Sequence, residues 1–162
     1  HSILEAVANE LAEDGIELIS SIDYVKDLLA EKGCLTKRKP SENETADIKF
    51  GWKIAKEVAG MEIGQCIVVK DRIVLAVEAI EGTNETIKRG GELGRGKVVV
   101  IKLSKKGQDP RFDVPTIGTE TVDYLKEAGV STLAIEAKKT LILDKEDTVK
   151  LADKNKISII AL

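Results

Sequence analysis

Two apolar runs are joined by the segment Lys102-Leu-Ser-Lys-Lys-Gly-Gln-Asp-Pro-Arg-Phe-Asp-Val-Pro-Thr-Ile-Gly118. It gathers Lys102, Lys105, Lys106, Gln108, Asp109, Arg111 and Asp113 into one connection, with two prolines and two glycines. These side-chain types suit the handling of a phosphate. Arg111 can fork onto a phosphate or carboxylate, and Lys102 can act on the same anion as a point charge. Asp113 can hold Mg²⁺ or orient a water. Pro115 fixes the chain direction, and the Thr116–Thr119 turn aims a helix N-terminus into the same region. The plainer alternative is a solvated charged loop closed by an ion pair from Arg111 to Asp109 or Asp113.

A second constellation is Glu78-Ala-Ile-Glu-Gly-Thr-Asn84, at the end of a strand-like run. Glu78 and Glu81 bracket the strand end. Thr83 is a fair N-cap for the helix that follows, and the bare N–H groups of such an end can receive a phosphate. The alternative is a capped strand-to-helix turn with two solvated glutamates. A third stretch, Thr36-Lys-Arg-Lys-Pro-Ser41, either lines an anion site or is a basic exposed loop before a helix cap.

The elements that must position these groups follow from hydrophobic spacing. Ile3, Val7 and Leu11 recur at helical intervals, and Gly15 ends that helix. Ile16–Ser20 reads as a short strand, and Tyr24–Ala30 as a helical turn or two. Ser41 with Glu44 forms a capping-box pattern that opens a helix running to Gly60, with Ile48, Trp52 and Ala55 on its apolar side. Trp52 reads as core. Gln65–Val69 and Arg72–Glu78 flank Lys70-Asp71 as a hairpin. Asn84–Leu93 is helical, with Gly90-Gly91 weakening its end. Lys97–Lys102 is β-branched and continuous, as a central strand would be. Helices over 119–128 and 145–155 alternate with strands at 132–136, 141–143 and 157–162. The alternation predicts an α/β domain with a mixed β-sheet and flanking helices, parallel through the helical crossovers and antiparallel at hairpins.

Composition narrows the partners. The 162 residues fit one domain, or one with a small appendage, and can bury a core. A formal charge of -3 implies no bulk nucleic-acid partner, and 3% aromatic residues are too few for a base-stacking surface. Cys34 and Cys66 stand alone and the single histidine is His1, which argues against a Cys/His zinc site and suits a reducing, cytoplasmic setting. No apolar run has the length of a membrane span.

Four motifs occur in order: Thr36-Lys-Arg-Lys-Pro-Ser41, Val77-Glu-Ala-Ile-Glu-Gly-Thr83, Arg111-Phe-Asp-Val-Pro-Thr-Ile-Gly118 and Ile135-Glu-Ala-Lys-Lys-Thr-Leu-Ile-Leu-Asp144. In these the chain resembles the C-terminal part of the cytosolic UDP-2,3-diacylglucosamine pyrophosphatase family of lipid A biosynthesis, the branch unrelated to the calcineurin-like phosphoesterases. The resemblance implies Mg²⁺-dependent hydrolysis of a pyrophosphate. Water attacks the uridine-side phosphorus, giving UMP and 2,3-diacylglucosamine 1-phosphate (lipid X). It implies Asp113 as the catalytic carboxylate, with Asp113, Glu78 and Glu81 as metal ligands. Lys102, Gln108, Arg111, Thr83 and Thr116 are implied as substrate-binding residues. Two positions depart from the family pattern: Asn84 follows Glu-Gly-Thr where relatives carry Asp, and Lys138 stands where they carry Gly.

The resemblance also implies a two-domain protein whose N-terminal Rossmann-like half lies outside this chain. On that reading residues 1–31 are a helical and short-strand segment leading from that half, and residues 32–162 are the C-terminal catalytic α/β domain. Such a fragment is expected to need its N-terminal domain for activity. The expected partners are a UDP-linked acylated sugar, the N-terminal domain, the membrane surface through peripheral contact at the cytoplasmic side, and a second copy of the chain. The competing class is a non-catalytic domain that binds a nucleotide-sugar or phospholipid head group.

Overall fold

The structure is a computed structural model and describes residues 3–104, 111 and 113–162. Among the described residues five α-helices and eight strands follow in the order α1 Ile3–Glu13, β1 Gly33–Cys34, α2 Glu42–Gly60, β2 Cys66–Lys70, β3 Ile73–Val77, α3 Thr83–Gly94, β4 Val98–Lys102, β5 Thr116–Ile117, α4 Thr119–Glu127, β6 Val130–Ile135, β7 Leu141–Ile142, α5 Lys145–Lys154 and β8 Ser158–Ala161. Two 3₁₀ turns, Ser21–Tyr24 and Lys26–Leu28, lie between α1 and β1.

Six strands form one mixed sheet in the order β1-β8-β6-β4-β2-β3. The three strands β4, β6 and β8 are parallel, while β2 runs antiparallel to both β3 and β4. The carboxyl ends of β3, β4, β6 and β8 therefore meet at one edge, together with the start of β2. Val98 to Ile101 are wholly buried, as their β-branched run predicts for a central strand. Side-chain alternation splits the core in two. Val68, Val98, Val100, Leu133, Ile135 and Ile159 face Ile87 of α3, Leu125 of α4 and Ala152 of α5. Ile67, Val69, Val99, Ile101 and Ala134 face Ile48 and Ala55 of α2. Trp52 is half-buried against that second cluster, in keeping with its reading as core.

Local chemistry sets the ends of these elements. Ser41 and Glu44 form the expected capping box at α2. Asp71 and Arg72 both take the left-handed conformation in the β2–β3 turn. Their N–H groups donate to Asp47 Oδ2 at 3.0 Å and Oδ1 at 2.7 Å, so a buried carboxylate on α2 holds a turn that lacks glycine. Gly90 and Gly91 do not weaken α3 as expected; they let it approach its neighbours. A Cβ on Gly91 would lie 2.2 Å from the Ala128 carbonyl oxygen, and one on Gly90 2.5 Å from Val68.

Two expectations need correction, and one element is new. Ile16–Ser20 is not a strand: Ile16 and Ile19 are exposed, and the Ile16 N–H closes back onto Leu11. Alternating apolar residues make a strand only where an edge is free to pair. Thr83 does not cap α3: Gly82, at φ 84°, is the N-cap, and the Thr83 hydroxyl turns back to the preceding strand. The short β5 was not anticipated. It pairs in parallel with β7, Thr116 opposite Leu141, as a two-stranded sheet outside the main one.

Candidate active site

Lys102 ends β4 in register with Cys66 of β2 and Ile135 of β6. Its ammonium donates to the Thr116 carbonyl at 3.2 Å, and so ties the end of the central strand to the far side of the Lys102–Gly118 connection. The Thr116 hydroxyl donates to the Val114 carbonyl at 2.9 Å, and the Leu141 N–H donates to Pro115. The segment carrying Asp113 is thereby held over the carboxyl edge of the sheet. Asp113 is exposed and makes no hydrogen bond or ion pair among the described residues. Arg111 is also exposed, whereas Gln108 lies outside the described residues.

Glu78 follows β3 at the same edge and is 7% exposed. Its carboxylate accepts from the Gln65 N–H at 3.2 Å and from the Thr83 hydroxyl at 2.9 Å. Burial pushes the Cys66 thiol well above its usual range; Glu78 pushes the same way and Lys102 the other. Lys102, at the end of β4, and Glu78, after β3, flank Cys66 of β2 on its two sides. The carboxyl edge thus carries two pairs, Glu78 with Thr83 and Lys102 with the Thr116 carbonyl.

Glu81 turns away from this group. It accepts from Arg89 at 2.5 Å, from the Ala79 N–H at 3.0 Å and from Thr86 at 3.3 Å. Its own N–H and the Arg89 guanidinium hold its carboxyl below the usual range. The Thr36–Ser41 stretch is at the opposite edge, where Arg38 donates to the Ser131 carbonyl and Thr132 hydroxyl at the start of β6. It is a tether between α2 and the sheet.

Sequence reasoning passed over Glu136, the first residue after β6 and 5% exposed. One of its oxygens accepts from Lys56 of α2 and lies 3.5 Å from Lys139; the other accepts from the Ser104 N–H at 2.7 Å. Burial opposes its charge, but Lys56, the Ser104 N–H and Lys139 outweigh that and keep its carboxyl below the usual range. The signal was present as an acidic residue closing an apolar strand run.

Magnesium suits oxygen donors and commonly takes one or two carboxylates with substrate phosphates and waters. Among the described residues no group of three or more His, Cys, Asp or Glu is arranged to hold a metal. Glu78 and Glu81 accept hydrogen bonds from protein donors, while Asp113 is exposed.

The fold and edge define an α/β domain with lysines and carboxylates at the carboxyl ends of its parallel strands, where open α/β sheets take their ligands. Residues 31–160 match the family described as the LpxI C-terminal domain, and the chain belongs to that family. It is 32% identical over 160 residues to the UDP-2,3-diacylglucosamine pyrophosphatase LpxI of Caulobacter vibrioides, covering 94% of this chain and 57% of that protein. It is also 31% identical over 136 residues to the bifunctional purine biosynthesis protein PurH of Bacillus subtilis, covering 81% of this chain and 23% of that protein. The PurH of Bacillus cereus is similar at 30% over 131 residues. The chain therefore spans a little over half of the LpxI relative and under a quarter of the PurH proteins.

Proposed function

We propose that this chain is the catalytic half of an enzyme that hydrolyses the pyrophosphate of UDP-2,3-diacylglucosamine to UMP and 2,3-diacylglucosamine 1-phosphate. The reading is supported by family membership together with Lys102 at the carboxyl edge, bonded to the Thr116 carbonyl three residues from an exposed Asp113. Lys102 and Arg111 offset charge on the non-bridging phosphate oxygens. Asp113 orients a water and takes up its proton as the water oxygen bonds to the uridine-side phosphorus. The phosphorus–oxygen bond to the sugar phosphate breaks, and the leaving oxygen stays with the lipid product. Bound Mg²⁺, carried by Asp113 and the substrate phosphates, would add charge neutralisation. Asn84, exposed at the start of α3, is neutral and a weaker magnesium ligand than Asp.

An N-terminal domain, a cytoplasmic location and peripheral contact with the membrane that supplies the lipid complete the reading. Among the described residues no helix is long and apolar enough to cross a membrane. The test is incubation of the full-length protein with UDP-2,3-diacylglucosamine and Mg²⁺ in H₂¹⁸O. UMP carrying the label is expected. Asp113→Ala should abolish turnover while substrate binding persists, and undiminished turnover in that variant removes Asp113 from the mechanism. Tight binding of the substrate by the full-length protein without any UMP release would instead establish the head-group-binding alternative.

A further inference from the structure

Three buried side-chain polar atoms among the described residues have no hydrogen-bond partner: Gln65 Oε1, Ser104 Oγ and Thr140 Oγ1. All three lie at the carboxyl edge. Ser104 is two residues beyond β4, Gln65 immediately precedes β2 and accepts from Leu103, and Thr140 lies between β6 and β7. Unpaired buried polar atoms are uncommon in folded proteins, and three at one edge point to groups that await a ligand.

Charge at the same place indicates which ligand. Lys56 and Lys139 both address one oxygen of Glu136, so two ammonium groups meet one carboxylate and a positive charge is left over. Their side chains remain 45% and 61% exposed, which leaves N–H donors turned outward. A groove of about 550 Å³, lined by Ile48, Trp52, Lys56, Glu136 and Leu162, reaches the Lys56–Glu136 pair. We propose that Lys56, Lys139 and the Ser104 hydroxyl, held in place by Glu136, form a second phosphoryl-binding subsite on the α2 side of the carboxyl edge. The ammonium groups meet the anion's oxygens and the Ser104 hydroxyl donates to one of them. The subsite rests on the pyrophosphate reading for the identity of its ligand, since a pyrophosphate presents two phosphoryl groups to one strand edge.

Calorimetric titration of the full-length protein with inorganic pyrophosphate tests it without any turnover. Lys139→Met leaves Glu136 with Lys56 and the Ser104 N–H, so the fold persists. It should weaken binding about tenfold, the usual worth of a charge-assisted hydrogen bond. Lys150→Met, on the exposed face of α5, should bind like the parent. Ser104→Ala should weaken binding severalfold and at the same time raise the thermal midpoint, because it removes an unpaired buried hydroxyl. A hydroxyl with only a structural role would give the reverse, a lower midpoint with unchanged affinity. Equal affinity of the parent, Lys139→Met and Lys150→Met overturns the subsite, as does failure of the parent to bind pyrophosphate. Lys139-dependent binding in a protein that releases no UMP would leave the subsite standing and remove the hydrolysis. UMP release with an unchanged KM in Lys139→Met would do the opposite.

Discussion

Replacing Glu44 with Gln removes one charge from the far edge of the sheet, and its effect can be worked out from the structure. The Glu44 carboxylate is 11% exposed and accepts from Arg38 at 2.7 and 2.8 Å and from the Ser41 N–H at 2.7 Å. Burial alone would raise its pKa, but hydrogen bonds from Ser131, Ser41 and Arg38 win and lower it from 4.5 to about 2. A carboxylate with a depressed folded pKa stabilises the fold above its unfolded value and loses that contribution as the pH falls through the folded value. Linkage puts the stabilisation on the order of 3 kcal/mol at neutral pH and about 1.4 kcal/mol at pH 3. Gln imitates the protonated acid, so Glu44→Gln should lower stability by about that amount near pH 7. The gap from the parent should roughly halve by pH 3. Urea unfolding followed by circular dichroism at pH 7, 5, 4 and 3 measures both quantities. A gap that stays constant with pH, or one under about 0.5 kcal/mol at pH 7, refutes the assignment of the stabilisation to this ionised clamp.

Two further substitutions probe the backbone. Lys138 is exposed and takes φ 60°, where a side chain is strained; Lys138→Gly should raise stability by up to about 1 kcal/mol in the same unfolding assay. A Cβ at Gly91 would sit 2.2 Å from a backbone oxygen of Ala128. Gly91→Ala should therefore destabilise by about 2 kcal/mol or more through displacement of α4 from α3, despite the better helix propensity of Ala.

Much of the fold was legible because local and long-range signals agree. The capping box at Ser41, the β-branched run of β4 and the helices after Gly118 and Asp144 each carry their own signature, and packing did not override it. The misreadings have physical sources. Ile16–Ser20 carries a strand's composition, but its main-chain groups have no sheet edge beside them. Thr83 has the chemistry of a cap, but the Glu78 carboxylate competes for its hydroxyl. At the site, Lys102 and Thr116 were identifiable as candidates, yet their contact runs through a main-chain carbonyl that no residue type announces. Glu78 and Glu81 look equivalent in sequence. Only the turn at Gly82 sends one into the sheet edge and the other toward Arg89.

The link between the clamp and the site is α2. Glu44 and Lys56 are twelve residues apart on this helix, a rise of about 18 Å. Ser131 and Glu136 are five residues apart at the two ends of β6, a span of about 17 Å. These lengths match, and the helix is tied to the strand at both ends: through Arg38 at Ser131 and Thr132, and through Lys56 at Glu136. Between the ties the helix lies close on the sheet, for a Cβ at Gly51 would meet Ile101 at 2.5 Å and Val69 at 2.8 Å. The two carboxylates differ in what they hold. Glu44 accepts one guanidinium nitrogen of Arg38 on both its oxygens while the other nitrogen donates to the start of β6, which anchors one end. Glu136 accepts two mobile ammonium groups and the N–H that begins the Asp113-bearing connection. Loss of the first should therefore cost stability while Ile48 and Ala55 keep the helix seated and Lys56 in reach of the edge. Loss of the second should free Lys56, Lys139 and Ser104 together, and its cost should appear in phosphate affinity as well as in the unfolding midpoint. The same helix thus carries a structural tie at the amino edge of the sheet and, on the proposed subsite, a ligand-directed one at the carboxyl edge, and the two are separable by measuring both quantities in Glu44→Gln and Glu136→Gln.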